Sequence, residues 1–93
     1  MHQINVDWSA ITSVAELWVV LCREAQEPEW HGRNLNALRD SWITGDINPT
    51  GPPYDFNFIN CGRINPAINE VASAVMEIAR DSVQANGGQC STA

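Results

Sequence analysis

The chain contains no lysine. Five arginines carry all of its basic charge against eleven carboxylates, for a formal net charge of −6. Nothing physical accounts for the missing lysine, but the balance excludes one class of function. An acidic surface repels phosphate backbones, so direct nucleic-acid binding is not expected. The same charge attracts basic proteins and speeds their encounter, and it also keeps a small protein soluble; charge alone leaves both readings open. No apolar run approaches the roughly 18 residues of a membrane span. Met1–Trp8 has neither the basic start nor the apolar stretch of a signal peptide. No membrane partner is expected, and the cytoplasm is the expected compartment. Cys22, Cys61 and Cys90 are odd in number and far apart, and His2 and His31 complete no ligand spacing with them. Reduced thiols are the default reading, and no metal or other cofactor is expected.

Catalytic signatures are equally scarce. There is no G-x-S-x-G, no H-E-x-x-H and no phosphate loop, and Gly87-Gly88 lacks a G-x-G-x-x-G context and reads as a helix stop. The nearest candidate is Glu29, His31 and Asp40, a histidine near two carboxylates that could act as a base in a hydrolytic site. No nucleophile in a recognisable motif stands beside it. The chain therefore reads as a protein that is not an enzyme.

What is present suits one α/β domain spanning residues 1–93, globular at 44% apolar and 17% charged residues. Four tryptophans exceed what a core this small needs, which leaves room for one at a recognition surface. Ile4, Val6 and Trp8 alternate with polar residues, predicting a strand with one buried face. Ser13 and Glu16 form a capping box, and Val14, Leu17, Trp18, Leu21, Cys22 and Ala25 follow at helical spacing, predicting a helix from about Ser13 to Gln26 that Pro28 ends. Cys22, on that stripe, reads as core rather than reactive. After a loop around Gly32, Asn34 caps a second helix of about Leu35–Trp42. Thr44–Pro53 is rich in glycine and proline and reads as a loop. Tyr54, Phe56 and Phe58 predict a second strand, with Ile59 and Cys61 on its opposite face. Asn65-Pro66 starts a third helix, about Pro66 to Gln84, which Asn86-Gly87-Gly88 stops. Gln89–Ala93 holds only two apolar residues, so a third strand there is an open question. Two strands joined by a helical crossover pair in parallel most naturally.

The second helix is the part that invites a partner. Leu35, Leu38 and Trp42 make its apolar face, while Asn36, Arg39 and Asp40 lie on the other, with Trp30 and His31 just before it. An aromatic beside arginine, amide and carboxylate is hot-spot composition, although such a face can also do no more than meet water.

The run Pro28-Glu29-Trp30-His31-Gly32-Arg33-Asn34-Leu35-Asn36-Ala37-Leu38-Arg39-Asp40 resembles the signature of the barstar family, and Ala10–Leu17 resembles the start of that family's first helix. The likeness is long and ungapped over about Ile11–Asp40; beyond Thr44 only the order of elements agrees. It implies a barstar-like three-layer arrangement, a small three-stranded parallel sheet packed with three or four helices. It also implies an intracellular inhibitor that plugs the active site of a nuclease toxin, one to one, with its second helix and the adjoining loop, and that is monomeric when free. Carried over, the partner-binding positions are Trp30, His31, Gly32, Arg33, Asn34, Asn36, Ala37, Arg39, Asp40, Thr44 and Gly45, with Asp40 at the centre. Three positions depart from the best-known member: Asn36 stands for an aspartate, Arg39 for an aromatic residue and Arg33 for a glutamate. The two arginines would oppose a uniformly basic cleft, which points to acidic groups near the partner's site. Asp81 is a candidate second acidic contact. Two other readings stay open: an interaction module regulating a non-toxic partner, and a hydrolase using His31 with Glu29 or Asp40.

Overall fold

A computed structural model describes residues 2–25, 34–44 and 53–93, apart from the side chain of Thr44. The first strand, β1 (His2–Asp7), buries Ile4 and Val6 and leaves Gln3 and Asn5 outward. Trp8 was expected on this strand and instead opens a 3₁₀ turn, Trp8–Ala10. Asp7 ends the strand by capping that turn, its carboxylate accepting the Ser9 N–H at 3.0 Å. Trp8 stays fully buried and stacks on Phe58 with ring centroids 5.9 Å apart. Hydrogen bonds from Asn60 and Ser9 hold the Asp7 carboxyl below the usual aspartate range. Its contribution to stability is full above that range and is lost as pH falls through the lowered value.

The first helix, α1 (Val14–Ala25), starts where Ser13 Oγ accepts the Glu16 N–H at 3.2 Å. The reciprocal half of the box differs from expectation, because the Glu16 carboxylate takes the hydroxyls of Thr12 and Ser13. Leu17, Trp18, Leu21 and Ala25 are buried, while Val14 is exposed and Cys22 half-buried, so the inward stripe is narrower than its spacing suggested. Glu24, near the end of α1, caps the outer edge of β1: its carboxylate accepts the Asn5 N–H at 2.9 Å.

The second strand, β2 (Tyr54–Ile59), is the middle of the sheet and carries its largest side chains. Tyr54, Phe56 and Phe58 are fully buried, and the last two rings stack 6.2 Å apart and nearly parallel. Ile59 does face the other way and is exposed. Cys61, expected beside it, begins a 3₁₀ turn (Cys61–Arg63) after Asn60 adopts a left-handed backbone at φ +57°, and it packs half-buried against the core. The third helix, α3 (Asn69–Asn86), follows a 3₁₀ turn at Pro66–Ile68 whose cap is Asn65. Gly87, at φ +84°, ends it with its N–H on the Val83 carbonyl.

The uncertain third strand does form: β3 (Gly88–Thr92) runs parallel to β2, from Gly88 against Tyr54 to Thr92 against Phe58. Backbone pairing rather than apolar alternation holds it, and the pairing extends past its end through Ala93, which donates to Phe58 and accepts from Cys61. The sheet order is β1-β2-β3, all parallel. The parallel sheet and its helices are as expected. The core cluster lies on the face of Ile4, Val6, Tyr54, Phe56 and Phe58. The opposite face presents Gln3, Asn5, Asp7, Asp55, Asn57, Ile59, Gln89 and Ser91, exposed or half-buried. Among the described residues this face is polar apart from the exposed Ile59, and the buried side chains of α1 and α3 join the core cluster on the other.

Candidate functional site

The short helix α2 (Leu35–Arg39) starts at Asn34, whose side-chain oxygen accepts the Ala37 N–H at 2.9 Å and whose carbonyl takes the Leu38 N–H at 3.1 Å. Asn34 therefore has a structural duty whatever else it touches. An α-helix to Trp42 was expected. The chain instead changes at Asp40 to a π-helical turn, Asp40–Thr44. The far end of this turn is held from α3. The last carbonyls of a helix lack intrahelical donors, and here two side chains from across the fold supply them. Ser82 Oγ donates to the Trp42 carbonyl at 2.6 Å, in a buried position, and Asn86 Nδ2 donates to the Ile43 carbonyl at 2.8 Å. Ser82 and Asn86 are four residues apart and so lie on one side of α3. Trp42, fully buried, rests its ring 4.8 Å from that of Phe56 on the central strand.

These contacts decide which way the helix faces. Leu38, Ser41 and Trp42 point in; Asn36, Arg39 and Asp40 are exposed, and Ala37 is half-buried between them. The structure thus brings Asn34, Asn36, Ala37, Arg39 and Asp40 onto one short segment with three polar side chains outward. Arg39 also reaches α3, its Nη2 lying 3.4 Å from Asp81 Oδ2. Trp30, His31, Gly32, Arg33 and Gly45 lie outside the described residues, as does Glu29 of the hydrolytic candidate, and of Thr44 only the backbone is described. The three described tryptophans, Trp8, Trp18 and Trp42, are all buried. Among the described residues no group of three histidine, cysteine or acidic side chains is arranged to hold a metal. No described helix is long and apolar enough to cross a membrane.

Sequence reasoning missed Ser82 and Asn86. The signal was there for Ser82, which continues the buried stripe of Val75, Ile78 and Ala79 at helical spacing, where a hydroxyl needs a reason. Replacing Ser82 with alanine strands the buried Trp42 carbonyl and should cost about 1–3 kcal/mol of stability. Urea unfolding measures it, and a loss below about 0.5 kcal/mol, the usual scatter of surface changes, would mean that another donor serves that carbonyl.

The geometry is that of a small α/β scaffold holding one short polar helix outward by its C-terminal end, the form of a protein-binding module. The family model of Barstar (barnase inhibitor) matches residues 1–91, and the chain belongs to that family. Among curated proteins none matches it.

Proposed function

We propose that this chain is an intracellular immunity protein that inhibits a cognate nuclease, a ribonuclease in the first instance, by laying α2 and the segment before it over the active site. Family membership supports the inhibitor class, and the observation that carries the mechanism is the exposed Asp40 on a helix fixed from behind. A nuclease cleft must hold phosphates and is therefore basic. A carboxylate presented on a rigid element can take a phosphate's place and accept paired hydrogen bonds from an arginine. The chain acts as a single monomeric domain and binds one partner molecule without catalysis.

Trp30, which precedes the helix in sequence, serves in this reading as an aromatic anchor, and Trp30→Ala should cost about 2 kcal/mol of binding. Titration calorimetry against the cognate nuclease measures this, and an unchanged affinity removes Trp30 from the interface. The decisive experiment is capture of partners from the native cell, followed by a nuclease assay. A basic nuclease silenced at one equivalent supports the proposal. A partner without nuclease activity would instead make the chain a regulatory module, and turnover that His31→Ala abolishes would make it a hydrolase.

A further inference from the structure

Nuclease inhibition does not by itself explain the sign of one surface charge. Arg39 lies beside Asp40 on the outward side of α2, yet a positive charge is the wrong sign for a basic cleft. Its Nη2 is 3.4 Å from Asp81 Oδ2 on α3, and the two side chains are 48% and 39% exposed. An ion pair this open to water adds little to stability. Its consequence lies in what the surface shows an approaching protein. Asn36 is neutral, Asp40 carries one negative charge, and the charge of Asp81 is offset by the guanidinium beside it.

Given the inhibitory role, on which this selectivity rests, we propose that Arg39, through its pair with Asp81, is a selectivity residue that turns away nucleases whose clefts are positive throughout and favours one with a carboxylate beside its cationic centre. Like charges brought together in a drying interface are strongly repelled, and such a clash is a common source of specificity. A guanidinium has five N–H donors, more than one carboxylate contact uses. A partner carboxylate can therefore engage Arg39, or draw it away at small cost and expose Asp81 to a neighbouring cation. A partner bearing cations alone meets Arg39 first and gains nothing from Asp81.

Barnase, the ribonuclease named in the family description, is the probe. Inhibition constants are measured for the unaltered chain and for Arg39→Gln, Arg39→Lys and the double variant Arg39→Gln/Asp81→Asn. Arg39→Gln should inhibit barnase at least tenfold more tightly than the unaltered chain. Arg39→Lys, which keeps the charge, should show no such gain, and adding Asp81→Asn should remove most of it. A damaged fold cannot produce tighter inhibition. The proposal is overturned if Arg39→Gln is no tighter than the unaltered chain, if Arg39→Lys gains as much, if the double variant keeps the whole gain, or if no form inhibits barnase measurably. A chain that silences its native nuclease but shows no gain on barnase loses this inference alone.

Discussion

Replacing Asp40 with alanine should weaken the complex with the cognate nuclease by about 2–5 kcal/mol, mostly through faster dissociation. That scale comes from truncating hydrogen-bonded charges at protein interfaces, a barnase–barstar pair among them, and much of it is the cost of leaving the partner's cation buried and unpaired. The position favours a clean measurement. Asp40 is exposed and opens the last turn of its helix. A negative charge there opposes the helix dipole, so its removal should leave stability unchanged or raise it by a few tenths of a kcal/mol. Stopped-flow or surface-binding dissociation rates, paired with unfolding curves, separate the two effects. An unchanged dissociation rate would take Asp40 out of the centre of the interface.

Gly88→Ala should be the most damaging single-methyl change in the described chain, at about 3 kcal/mol of stability or more. Gly88 sits at φ +101°, and a Cβ there would lie 2.2 Å from the Tyr54 carbonyl oxygen. That oxygen belongs to the central strand, which cannot withdraw without disturbing its pairing with β1. Gly87 supplies the control. Its φ of +84° is nearly as unusual, but a Cβ there meets nothing within 4 Å. Gly87→Ala should therefore cost less than Gly88→Ala, about 1–3 kcal/mol, the backbone component alone. Chemical unfolding of both variants tests the contrast, and equal small losses would show that β3 can slide away from Tyr54.

The sequence announced the elements whose signal is local. Tyr54, Phe56 and Phe58 alternate as a half-buried strand must, and the spacing of Leu17, Trp18, Leu21 and Ala25 marks a helix face. The outward set Asn36, Arg39 and Asp40 was equally legible, because three- and four-residue spacing fixes sides on any helix. What escaped was the product of distant contacts. The π turn at Asp40–Thr44 is held at its far end by donors on Ser82 and Asn86, some forty residues further along the chain. The third strand has little apolar content and exists because β2 offers it an edge. The Arg39–Asp81 pair joins two helices whose relative placement no periodicity encodes. The polar back of the sheet was written in Asn5, Asp7, Asp55 and Asn57.

A helix of five residues and one π turn is far below the length that persists alone in water. Its shape is borrowed from Trp42 on Phe56 and from two side chains of α3, and it vanishes when that packing does. Under the proposed function, blocking capacity and global folding should then be lost together on heating, so that the number of nuclease molecules a sample can silence counts its intact molecules, with no partly active remnant to fall back on.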